Sequence, residues 1–139
     1  MVNTNLKRLV LAATLFLGPV KPSIVYTGRT DVQPGGLIDS LYRSTTLPKD
    51  GVEFIVCTYG NKMYIPEQEA DRENISYSLC EAPYNGTIHS HPTHLDDYLC
   101  GPSGYDAEEF LKSTDTYMGI ACYDNKLGRV YVNNYDKRQ

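Results

Sequence analysis

The 139-residue chain contains no tryptophan and only three histidines, and no Lys/Arg run is longer than a pair. Its net charge is −4, with a pI near 5.3. A nucleic-acid binder carries a basic stripe or patch, so nucleic acid is not expected as a partner. None of the four cysteines, at 57, 80, 100 and 122, forms a CxxC pair. That argues against a cysteine-only zinc ribbon and against a thioredoxin-type redox motif. No apolar run approaches the roughly 20 residues a spanning helix needs.

The chain is long enough for one domain with one core. Its 41% hydrophobic content is near the globular norm and argues against global disorder. Cys57 and Cys122 sit inside apolar runs (EFIVCTY, MGIACYD) and read as small buried side chains. Cys80 and Cys100 flank less regular sequence, and a disulfide between them is open. It would suit an oxidising compartment or a thermophilic source.

Residues 4–20 (TNLKRLVLAATLFLGPV) support two readings. One is a first core helix ending at Gly18-Pro19. The other is a signal or anchor over residues 7–17, with Lys7 and Arg8 before an apolar run of about nine residues, though without a clear cleavage site. Membrane association therefore stays open. A cytoplasmic location is the leading expectation, with a secreted or anchored one as the alternative. The sequons at Asn74 and Asn85 are too common by chance to decide it.

Residues 21–139 read as a single domain. SIVYTG (23–28) is strand-like, and Pro34-Gly35-Gly36 is a turn. LIDSLYRS (37–44) puts Leu37, Ile38, Leu41 and Tyr42 on one helical face, and Pro48 stops it. VEFIVCTY (52–59) and KMYIP (62–66) form a hairpin about Gly60-Asn61. EQEADRE (67–73) reads as a charged connection, ISYSL (75–79) as a strand, Asn85-Gly86 as a turn, and TIHSH (87–91) as a strand. Residues 93–101 read as loop. A helix runs from Pro102-Ser103 to about Lys112, and 116–124 with 128–134 form a closing hairpin about Asn125-Lys126. The class is α+β, a mixed or antiparallel sheet with helices packed on it.

The chemistry lies in two short stretches, HSHP (89–92) and SGYD (103–106). On a strand, residues i and i+2 share a face, so His89 and His91 project side by side. Neutral imidazoles are good zinc ligands. Alone, such a pair is a weak signal, because surface histidine pairs are common. Pro92 ends the strand. Ser103 and Asp106, one helical turn apart, read most simply as a capping box with an acid in the first turn. Functionally, Asp106 would be a third ligand and Ser103 a hydroxyl beside the metal. Two histidines and one carboxylate leave zinc's fourth position for water, as in a catalytic site.

HSHP followed by PSxxD resembles the signature of the JAMM (MPN+, JAB domain) zinc metalloproteases. In that family an upstream glutamate precedes H-[S/T]-H-P and S-x-x-D. The resemblance spans about residues 36–134 and implies an MPN-like α+β fold. It implies Zn²⁺ on His89, His91 and Asp106, and Ser103 steadying the tetrahedral intermediate. It also implies Glu53 as the acid/base, with Glu67, Glu69, Glu73 and Glu81 as rivals. The spacer between His91 and Ser103 has eleven residues (PTHLDDYLCGP), where the family usually has seven. That length admits Asp96, Asp97, His94 or Cys100 as an alternative ligand. The activity implied is hydrolysis of an amide bond by a peptidase or isopeptidase. The partner implied is a protein or peptide, such as the tail of a ubiquitin-like or sulfur-carrier protein. The alternatives are a non-catalytic MPN scaffold and a secreted or anchored zinc peptidase. The sequence does not reach the oligomeric state.

Overall fold

The computed structural model describes residues 21–70, 75–77, 80–81, 83–91 and 100–138. The expectations for residues 4–20 and 93–99 lie outside these. The described chain forms β1 (Ser23–Asp31), α1 (Leu37–Leu41), β2 (Ile55–Tyr59), β3 (Lys62–Tyr64), β4 (Gln68–Ala70) and β5 (Ile75–Tyr77). It continues with β6 (Gly86–Ser90), α2 (Gly104–Lys112), β7 (Tyr117–Asp124) and β8 (Arg129–Arg138). After α1 the backbone continues as a wider π-type turn, Tyr42–Thr46.

Six strands make one mixed sheet in the order β1-β8-β7-β6-β2-β3, so the chain is α+β. The pair β6–β7 is parallel, and the other four pairings are antiparallel. Parallel neighbours need a crossover connection, and here it contains α2. The HSH stretch therefore sits at the carboxyl end of β6, where the chain leaves the sheet for the amino end of α2. Ligand sites in sheets with such crossovers gather outside the carboxyl ends of the strands.

Each face of the sheet has its own core. Ile38 and Tyr42 of the first helical segment cover Phe54, Val56, Ile88, Ala121, Val130 and Val132. On the other face Phe110 of α2 covers Met118, Ile120, Cys122 and Tyr131. The alternation along β6 follows: Ile88 and Ser90 point to the first face, and His89, opposite Ile55 and Ile120, points to the second.

Three expectations are corrected. Gln68–Ala70, read as part of a charged connection, is a strand that pairs with β5 in a separate two-stranded sheet. Asn85-Gly86, read as a turn, is not one. Gly86 opens β6 beside Tyr117, and a Cβ there would lie 2.1 Å from the Tyr117 carbonyl oxygen. The glycine serves close approach of two backbones rather than a reversal of one. Finally, Cys57 is buried but is no lone thiol: it forms a disulfide with Cys80, Cα–Cα 5.9 Å. The Cys80–Cys100 bridge is thereby excluded. Cys57 lies on β2 and Cys80 precedes β6, so the bond ties the segment between β3 and β6 to a central strand.

Candidate metal centre

His89 and His91 come from the last turn of strand geometry in β6 and the residue beyond it. Asp106 is the third residue of α2. Its carboxylate is aimed by a capping box: Ser103 Oγ accepts the Asp106 N–H at 3.1 Å, and Ser103 N–H donates to Asp106 Oδ2 at 2.9 Å. The simple reading of SGYD is therefore correct, and it is also what brings Asp106 to the histidines. The cap fixes the carboxylate at the helix start, and the crossover delivers that start to the end of β6.

His89 Nε2 and His91 Nε2 stand 3.2 and 3.3 Å from the same oxygen, Asp106 Oδ2. The two rings lie edge to face, with centroids 5.2 Å apart. Both Nε2 atoms are buried, and among the described residues neither makes a hydrogen bond. Buried polar atoms are normally partnered, so two orphans on one point call for an explanation. One ligand atom from each of His89, His91 and Asp106 lies within 4.8 Å of the others, and the group could hold a metal ion. Glu53 sits on the same face, its Oε1 3.7 Å from His91 Nδ1. Its side chain is 14% exposed.

The electrostatics suit a cation. Burial alone would push the Asp106 carboxyl up, but the His89 imidazole, the Ser103 N–H and His91 together hold it well below the usual carboxylate range. Burial alone would lower His91, but Glu53, Asp106 and the Gly101 carbonyl outweigh it and raise the imidazole above its ordinary value. A proton on His91 and a metal ion would satisfy the same negative field.

The other candidates fall away or lie outside the described residues. Glu67 and Glu81 are exposed, while Glu73 and the Glu69 side chain are not described. Asp96, Asp97 and His94 are likewise outside. Cys100 packs against the Phe110–Tyr131 core and is not in the converging group. Sequence reasoning missed three residues that frame the site: Ser90, Thr46 and Gln68. Strand parity places Ser90 on the face away from the histidines, but its partner Thr46 is 44 residues distant, which no local pattern could reveal.

Set beside known proteins, the chain matches no family model, and no curated protein or solved structure is significantly similar to it.

Proposed function

We propose that the chain is a zinc-dependent peptidase or isopeptidase of the JAMM kind, hydrolysing an amide bond in a protein or peptide. The observation that carries this reading is the convergence on one carboxylate oxygen of two imidazole nitrogens that make no hydrogen bond among the described residues, with Glu53 beside them. Zinc–ligand bonds of about 2.0–2.1 Å at tetrahedral angles put neighbouring donor atoms about 3.3–3.4 Å apart. The two nitrogen–oxygen separations here are 3.2 and 3.3 Å, so both pairs match that spacing, and all three donor atoms lie within 4.8 Å of one another. His89, His91 and Asp106 would hold the ion, which when bound would supply Lewis acidity and acidify water towards neutral pH. Glu53 would accept the proton of the attacking water and deliver it to the leaving amine. The hydroxyl of Ser103 accepts the Asp106 N–H and keeps its own proton, available to a developing oxyanion. The order of these residues in HSHP and PSGYD supports the same reading, and with it a ubiquitin-like or sulfur-carrier tail as substrate.

The test is metal content of the purified protein by plasma mass spectrometry, wild type beside Asp106→Ala and Glu53→Gln. The expected result is about one zinc per chain in wild type and Glu53→Gln and none in Asp106→Ala, with turnover lost in both variants. A wild type that takes up no zinc on reconstitution would leave the non-catalytic scaffold as the better reading.

The Cys57–Cys80 disulfide favours one variation, a zinc peptidase working in an oxidising compartment. Among the described residues no helix is long and apolar enough to cross a membrane.

A further inference from the structure

Regular pairing of β2 with β6 ends at Ile55 opposite His89. One residue further, a regular antiparallel ladder would have the Phe54 N–H donate to the backbone carbonyl of Ser90. Instead it donates to the Ser90 hydroxyl at 3.0 Å, while Ser90 N–H donates to the Phe54 carbonyl at 3.2 Å. Ser90 and Thr46 are both fully buried, and their hydroxyls lie 2.8 Å apart. Counting protons fixes the direction of that bond. Thr46 donates its only hydroxyl proton to the Val52 carbonyl at 2.8 Å, so it must accept the proton of Ser90. The Val52 N–H in turn donates to the Thr45 carbonyl at 2.7 Å.

The consequence falls on the residue in between. Val52 and Phe54 are each held at both backbone N–H and C=O, by Thr45, Thr46 and Ser90. On the outer side of the strand the Gln68 amide takes both backbone groups of Ile55, donating to its carbonyl at 3.0 Å and accepting its N–H at 2.9 Å. Glu53 is flanked by these pinned residues, and its carboxylate reaches His91 on the opposite face from Ser90. A buried hydroxyl is costly unless bonded, and this one makes a short relay from β6 to the segment before β2 that carries Glu53.

We propose that Ser90 is a positioning residue: its hydroxyl, between the two histidines in sequence, sets where Glu53 stands relative to the metal centre. The proposal rests on the metal-site reading above. It predicts that removing the hydroxyl disturbs Glu53 while sparing the ligands, because β6 is held independently by β7.

The probe is cobalt(II) in place of zinc, read through its visible spectrum as pH is varied. In wild type the spectrum should titrate with a midpoint that Glu53→Gln moves by about one pH unit or more. Ser90→Ala should bind one cobalt with affinity within about threefold of wild type, yet move the midpoint in the same direction as Glu53→Gln. Ser90→Thr, which keeps the hydroxyl, should restore the wild-type midpoint. An unmoved midpoint in Ser90→Ala, or in Glu53→Gln itself, overturns the role, as does loss of cobalt from Ser90→Ala. Should Ser90→Ala not fold, Thr46→Val removes the acceptor of the same hydroxyl; it must move the midpoint too, and a wild-type midpoint there overturns the proposal. A wild type that binds no cobalt removes the metal centre itself, and the positioning role with it.

Discussion

Ser90 and His89 are neighbours on one strand, both polar and both shielded from water, and they are treated in opposite ways. Ser90 is fully buried and uses its hydroxyl as donor to Thr46 and acceptor from Phe54. The His89 side chain, 12% exposed, ends in a buried nitrogen that makes no hydrogen bond among the described residues and faces Asp106 Oδ2 at 3.2 Å. A satisfied buried group is structure, because its bonds repay the desolvation. An unsatisfied one is a debt the fold leaves to something else. The two faces of β6 thus differ: one holds the backbone in place, and the other carries two nitrogens that, with Asp106, could hold a metal ion.

The sharpest way to break this comparison is to truncate one residue of each kind. His89→Ala is expected to weaken zinc binding on the order of a thousandfold, since even changes around the ligands cost 10–100-fold. At pH 8, without metal, the same variant should lose mainly the packing of the ring, about 1 kcal/mol, because among the described residues its Nε2 makes no hydrogen bond. Ser90→Ala should show the reverse: about 1–3 kcal/mol of metal-free stability lost, through the stranded Phe54 N–H, and little change in affinity. Urea unfolding and competitive zinc titration of the two variants decide it. Equal stability losses in the absence of metal would mean that the orphaned nitrogen is an ordinary packing feature.

The disulfide provides a second contrast, between covalent support and the site. Cys57 and Cys80 are separated by 23 residues. Closing such a loop removes about 3 kcal/mol of unfolded-state entropy. Replacing both cysteines by alanine should therefore lower Tm by about 10 °C while leaving the zinc stoichiometry at one per chain. Loss of the metal together with the bridge would show that the segment between β3 and β6 helps to build the site.

Local patterns made much of this legible. Parity along TIHSH puts both histidines on one face, and SGYD reads as a cap because a serine three residues before an acid satisfies helix-start N–H groups. The hairpin at Gly60-Asn61 and the closing hairpin at β7–β8 follow from turn residues between β-branched runs. What stayed hidden depends on partners far along the chain. Gly86 looked like a turn because the Tyr117 carbonyl that demands a glycine is 31 residues away. Cys57 looked like a lone buried thiol because an apolar run does not announce a bond to Cys80. Gln68 looked like surface because its task, closing the two backbone groups of Ile55, exists only once β3 has ended short of that position. Of the five site residues that sequence reasoning named, His89, His91, Ser103 and Asp106 lay within one β–α connection, and Glu53 came only with the family resemblance. Of the supports it missed, Ser90 lies between the histidines, but its partner Thr46, and Gln68, come from elsewhere in the fold.

The smallest effect, and the most diagnostic for the unpartnered nitrogens, is on pH. The ordinary value for His91 is 6.5, and in the metal-free fold it is raised by Glu53, Asp106 and the Gly101 carbonyl against the opposing effect of burial. A raised imidazole stabilises the fold fully below its unfolded value, and that contribution is lost as pH climbs through the folded value. Asp106 runs the other way: its lowered carboxyl stabilises the fold above the ordinary 3.8 and stops doing so as pH falls. Metal-free protein should therefore lose a little stability, about 1 kcal/mol or less, as pH rises above 6.5, with Asp106 ionised throughout. Zinc must displace the His91 proton to bind. Its apparent affinity should fall about tenfold for each pH unit below the raised value, so the rise in Tm that zinc produces should grow with pH where the metal-free Tm declines. Melting curves from pH 5.5 to about 8.5, with and without zinc, would separate two chelating imidazoles from two that merely ion-pair with Asp106. Opposite slopes require a metal that competes with the proton. Parallel slopes would mean that the histidines answer only to the carboxylates beside them.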